Sequence, residues 1–89
     1  MTARSVEIVN KRGLHARASA KFAKLAAEFD AEVTVSRDGQ SVDGQSIMDL
    51  MMLAAGPGSM VEITAQGAEA EAALDALCGL VSSRFEEED

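Results

Sequence analysis

Val6 and Ile8 alternate with Ser5 and Glu7 over residues 5–9, a period of two that predicts a strand with one buried face. Residues 10–13 carry turn-forming and basic side chains. Ala18, Phe22, Leu25, Ala26 and Phe29 then recur at helical spacing, predicting a first helix over 16–29. Alternation returns through Val33 and Val35 over 32–37, and Asp38-Gly39 is a strong two-residue hairpin turn into a third strand over 40–43. Ser46 stands three residues ahead of Asp49 at the head of an apolar run that stops at Gly56-Pro57. A short helix capped by Ser46 is therefore predicted between them. Val61, Ile63 and Ala65 alternate with Glu62 and Thr64 over 60–66, a fourth strand that ends at Gly67. A last helix spans residues 68–85, with Ala70, Leu74, Leu77, Cys78 and Val81 on one stripe, Glu69 and Glu71 suited to its start and Arg84 to its end. The tail 86–89 is a like-charge run, expected to be frayed and solvated.

The order is β-α-β-β-α-β-α, and every element has one apolar side. Together these predict an α+β open-faced sandwich, a single sheet with the helices on one face. With 89 residues, 47% of them hydrophobic, the chain supports one core and therefore one domain, residues 1–89. Periodicity does not decide strand pairing, and the same order up to the fourth strand also describes a ferredoxin-like regulatory domain.

Charge narrows the function. There are 15 acidic against 8 basic side chains, which argues against nucleic acid held over the whole surface, and with no Trp or Tyr few rings are available for bases to stack on. A single cysteine and a single histidine cannot build a zinc cluster, and one cysteine forms no internal disulfide. No apolar run is long enough to span a bilayer and no signal core opens the chain, so a cytoplasmic protein without metal, cofactor or membrane partner is expected.

Yet Lys11, Arg12, Arg17, Lys21 and Lys24 fall in a 14-residue stretch, 11–24, free of Asp and Glu. The rest of the chain has three basic residues against 15 acidic, so the stretch is a cationic island on an anionic protein. By itself it reads first as an ordinary solvated helix face, the default for the outer side of an amphipathic helix. His15, the only histidine, stands immediately before the helix whose first turn holds Arg17. The unbonded N–H groups of Ala16, Arg17 and Ala18, the positive end of the helix dipole and the Arg17 guanidinium can together hold phosphate oxygens at the end of the imidazole. The imidazole supplies a nucleophilic nitrogen. A carrier of this kind is not an enzyme: transfer depends on positioning and charge compensation, with no general acid or substrate cleft of its own.

Such a carrier needs a docking surface. Ile47, Met48, Leu50, Met51, Met52 and Leu53 are apolar nearly all round a short helix, more than one buried face can absorb. Ile47, Met48, Met51 and Met52, with Lys21 and Lys24 on the basic face, are the candidate docking residues; the competing reading has the methionines filling core gaps.

Gly13-Leu-His-Ala-Arg17 followed by a helix, with Gly44-Gln-Ser-Ile-Met48 and Leu50-Met51 later, closely resembles the HPr family, the histidine-containing phosphocarriers of the phosphoenolpyruvate-dependent phosphotransferase system. The likeness covers nearly the whole chain. It implies phosphate carried on Nδ1 of His15, received from enzyme I and given to enzyme IIA proteins in a sugar-transport or nitrogen-related branch. It also implies a four-stranded antiparallel sheet under three helices, a monomer, and a partner surface at the starts of the first two helices. It disfavours the ferredoxin-like alternative. Ser46 matches a serine that an HPr serine kinase phosphorylates in some branches, although the cap reading of Ser46 accounts for it equally. Ala18 departs from the family, which usually has proline there. Outside this family, the same island could serve a small regulatory or anion-binding domain that acts by contact without phosphoryl transfer.

Overall fold

The structure, a computed structural model, describes residues 2–86. Four strands, β1 (Thr2–Glu7), β2 (Glu32–Arg37), β3 (Gln40–Asp43) and β4 (Met60–Gln66), alternate with α1 (Ala16–Ala26), α2 (Ile47–Met52) and α3 (Ala70–Ser82). The strands form one antiparallel sheet in the order β1-β4-β2-β3, so the first and last strands pair and the hairpin lies at the opposite edge. That settles the pairing which periodicity leaves open.

Register explains the single layer of helices. Arg4 faces Ile63 and Val6 faces Val61, while Val33 faces Ala65 and Val35 faces Ile63. Val33, Val35, Val61, Ile63 and Ala65 are buried, and the residues between them, Glu32, Glu62 and Gln66, are exposed. One face is thus the floor of the core and the other a polar surface. α3 packs across β1, β4 and β2 through Leu74, Leu77 and Val81; α1 packs between α2 and α3, and α2 meets β3. The hairpin turn forms where expected, with Asp38 and Gly39 both at positive φ, the geometry a two-residue turn of this twist requires.

Strands two, three and four match the sequence reading; the other boundaries move for identifiable reasons. The first strand begins earlier and ends at Glu7, because the long β4 draws Thr2 into register and Ile8 exchanges its backbone bonds with Gly58 and Ser59 of a loop. The first helix stops at Ala26 because Glu28 and Phe29 donate to Leu25 and Ala26, three residues back, which tightens and closes the last turn. The second ends at Met52 and not at Gly56: Ala54 turns left-handed at φ 54 just past the cap Leu53, and Arg37 crosses from β2 to bond the Leu53 carbonyl at 3.0 Å. The last helix starts at Ala70, since Glu69 is spent on Asp30, donating its amide N–H to the Asp30 carbonyl and accepting the Asp30 N–H on Oε1.

Past Ser82 the chain does not continue as helix. Arg84, Phe85 and Glu86 turn left-handed, at φ 61, 55 and 61, and this reversal drives Phe85 fully into the core. Lys21 Nζ of α1 donates to the Phe85 carbonyl at 2.7 Å and ties the turn down. Beyond Glu86, the acidic tail lies outside the described residues.

That tie gives Lys21→Met a measurable cost. Removing a charge-assisted donor from a half-buried carbonyl should lower unfolding free energy by about 1–2 kcal/mol in urea titration, whereas Lys24→Met, at an exposed position, should change it by less than about 0.5 kcal/mol.

Candidate functional site

His15 is the N-cap of α1. Its backbone is extended, at φ −76 and ψ −179, and its carbonyl takes the first full helical bond, from Ser19 N–H at 2.8 Å. The amides of Ala16, Arg17 and Ala18 lie ahead of that bond. The Arg17 amide donates to His15 Nδ1 at 3.2 Å, so the ring takes the role a Ser or Asp side chain usually has at a helix start. An accepting Nδ1 carries a lone pair, and the proton of the neutral ring then sits on Nε2.

What holds His15 there comes from far along the chain. Leu14 donates its N–H to the Ala55 carbonyl at 2.9 Å, and Ile8 is bonded on both sides to the Gly58-Ser59 segment. The loop before α1 is thereby laced to the loop after α2. Gly13 lies in the tightest part of that contact, at φ +63; a Cβ on it would come within 2.3 Å of the Ala55 oxygen. Only glycine fits there. Ser19, fully buried, donates its hydroxyl to the Leu14 carbonyl at 3.2 Å and fastens the loop to the helix from below.

His15 is half-buried, whereas Lys11, Arg12, Arg17 and Lys24 are exposed. No acidic side chain occurs in the first turn of α1. Lys21 is different, being half-buried and committed to Phe85. Ala18 is fully buried in the first turn of the helix.

The expected docking helix is apolar on both sides. In α2 only Leu50 is buried, at 0% exposure, while Met48 is 70% and Met52 67% exposed, with Ile47 and Met51 also open to solvent. The methionines are therefore surface residues and not core fillers. Met51 and Met52 are the last residues before the loop that meets Leu14, which brings this end of the patch beside the start of α1. Ser46 caps α2 as its spacing suggests, accepting from Asp49 N–H at 3.3 Å; its own N–H goes to the Asp43 carbonyl, so the second half of a reciprocal capping box is not made.

Other nucleophiles are poorly placed for chemistry. Burial pushes the Cys78 thiol up, with Arg4 only partly opposing, which leaves little reactive thiolate. Among the described residues no three His, Cys, Asp or Glu side chains are grouped to hold a metal ion. A groove of about 470 Å³ between α1 and α3, bordered by Lys24, Leu25 and Leu80, lies away from His15.

Of the residues named from sequence, His15 and Ser46 stand as helix caps, Arg17 lies in the first turn of α1, and the methionines of α2 are exposed. Asn10, Ser19, Ala55 and Arg37, which hold this frame through hydrogen bonds, were not among them. Of these only Asn10, a polar side chain in a turn segment ahead of the histidine, carried any local signal.

Known proteins resemble the chain from end to end. Residues 2–83 match the family model described as the PTS HPr component phosphorylation site. The phosphocarrier protein HPr of Cupriavidus necator is 51% identical over 87 residues, 98% of each chain. The phosphocarrier protein NPr of Shewanella violacea is 46% identical over 84 residues, 94% of this chain and 92% of that one. The crystal structure of an HPr from Thermoanaerobacter tengcongensis superposes with a TM-score of 0.95 over the whole of both chains at 39% identity.

Two expectations follow from the site's construction. Gly13→Ala, strained and in collision with Ala55, should lose about 2 kcal/mol or more of stability in urea unfolding, together with the hydrogen-exchange protection of the Leu14 amide. Leu50→Ala should cost about 2–5 kcal/mol, while Met48→Ala and Met52→Ala should stay within about 0.5 kcal/mol of the wild type in the same titration.

Proposed function

The chain belongs to the HPr family of phosphocarrier proteins, and on that premise we propose that His15 accepts a phosphoryl group from a phosphoenolpyruvate-dependent enzyme I and passes it to enzyme IIA proteins. The observation that carries this reading is the bond from Arg17 N–H to His15 Nδ1. It turns the lone pair of the attacking nitrogen toward the start of a helix, where a phosphate is stabilised.

In the transfer the Nδ1 lone pair forms the N–P bond as the bond between phosphorus and the donor breaks, in line. The Arg17 amide then loses its acceptor on the ring and has a phosphoryl oxygen in its place. The amides of Ala16 and Ala18 and the Arg17 guanidinium share the remaining charge. No proton has to leave for the bond to form. The second step reverses the first, with the partner's nucleophile attacking phosphorus and the electron pair returning to Nδ1. The role is that of a substrate-like carrier, and it needs no cofactor.

Ile47, Met48, Met51 and Met52 would seat the donor and acceptor proteins in turn, with Lys24 at the margin; adaptable thioethers suit a surface that meets several partners. A monomer working in the cytoplasm as one domain over residues 1–89 fits a face kept open for successive encounters. Ser46 reads best as the cap of α2. A phosphate added there by an HPr serine kinase would share the cap with Asp43 and Asp49 close by, which opposes it.

Intact mass after incubation with phosphoenolpyruvate and an enzyme I tests the reading. A single phosphate adduct is expected that is lost in acid, is absent from His15→Ala, and is transferred to enzyme IIA proteins of the sugar or the nitrogen-related branch. Labelling of His15→Ala at another residue would sink the assignment, and an acid-stable adduct would point to Ser46.

A further inference from the structure

We propose that Asn10 is a positioning residue for phosphoryl transfer, locking the Gly13–Leu14 peptide plane ahead of His15 so that Nδ1 is presented at the start of α1. The inference rests on the reading of His15 as the phosphoryl acceptor.

Asn10 has 0% exposure although its side chain is an amide, and burying such a group is costly unless it makes hydrogen bonds. Its Nδ2 donates to the Gly13 carbonyl at 2.9 Å. Against a carbonyl only the nitrogen end of the amide can serve, so its orientation is settled by its partner. The same segment is closed from the backbone as well, since Gly13 N–H donates to the Asn10 carbonyl at 3.3 Å.

The Gly13 carbonyl and the Leu14 N–H belong to one peptide plane. Its oxygen accepts from Asn10 Nδ2 and from His15 N–H, each at 2.9 Å, and its N–H donates to the Ala55 carbonyl at 2.9 Å. The next plane is held too, because the Leu14 carbonyl accepts the Ser19 hydroxyl. Two successive planes ahead of the histidine are therefore pinned, and Asn10 is the side chain that holds the oxygen of the first. Without it that oxygen keeps only the short-range bond from His15, and the plane, anchored then on its N–H side by Ala55, can tilt about the conformationally permissive Gly13. Such a tilt would displace His15 relative to Arg17 N–H and so disturb the cap at Nδ1. None of this touches Met48, Met51 or Met52, so docking should survive.

Asn10→Ala is compared with Val81→Ala, which removes buried methyl groups from α3 and so destabilises the fold elsewhere. Thermal unfolding, steady-state phosphorylation by an enzyme I and the ¹⁵N chemical shift of His15 Nδ1 are measured for each. For Asn10→Ala we expect about a tenfold fall in the limiting rate with KM within about twofold of the wild type, and a displaced Nδ1 resonance. Val81→Ala should lose stability and keep both rate and resonance. If Asn10→Ala does not fold, Asn10→Ser, which keeps a shorter donor, is measured in the same way. A folded Asn10 variant with unchanged limiting rate and resonance would overturn the proposal, as would an equal loss of rate in Val81→Ala. A wild type that takes no phosphate would instead overturn the acceptor reading and this proposal with it.

Discussion

The meeting of two loops, residues 8–15 and 55–59, is the constraint on which the rest of the molecule depends. Leu14 bonds Ala55, Ile8 bonds Gly58 and Ser59, and Gly13 approaches the Ala55-Gly56 backbone too closely for any side chain. These bonds join the start of α1 to the end of α2. The histidine and the exposed methionines, more than thirty positions apart in the sequence, are thereby held in one local frame. A carrier whose chemistry requires an exposed nucleophile cannot bury its site for rigidity, so the rigidity has to come from backbone bonds behind it.

The helices divide the work by burial. α3 gives Leu74, Leu77 and Val81 to the core over the sheet. α1 buries Ala18, Ser19, Phe22, Ala23 and Ala26 on one side and presents cations on the other. α2 contributes only Leu50 to the core among its own residues, and its other apolar side chains form an exposed patch of the kind that marks an interaction surface. Being short, it derives little stability from its own turns. It is held instead at both ends, by Ser46 at the start and by Arg37 on the Leu53 carbonyl at the finish. Arg37 supplies there the positive charge that the last turn lacks.

The same economy governs the site. A histidine that caps its own helix satisfies the Arg17 amide in the resting protein, and under the proposed function the same lone pair attacks phosphorus while that amide turns to the incoming oxygens. The donor for the charged state is thus already in place. Little reorganisation is needed in either direction, which suits a group that must be taken up and given away with similar ease.

Local pattern determined what local physics controls. Alternation located β2, β3 and β4, the Asp38-Gly39 turn joined two of them, and the spacing of Ser46 and Asp49 predicted the cap that forms. The lone His15 ahead of an acid-free basic helix marked the candidate site, because helix-end electrostatics depend on neighbours in sequence. Burial of the methionines was undecided, since a helix apolar all round does not say which side meets the core; packing of α2 on β3 and α1 decided it. The ends of α2 and α3 also escaped, each being set by a partner in space: Arg37 on Leu53 for α2, Glu69 on Asp30 and Lys21 on Phe85 for α3. So did the lacing behind His15. Ala55 offers only a backbone carbonyl and Gly13 only room, neither of which leaves a chemical signature in the sequence. Hydrogen bonds between residues 14 and 55 exist only once the sheet has brought their loops together.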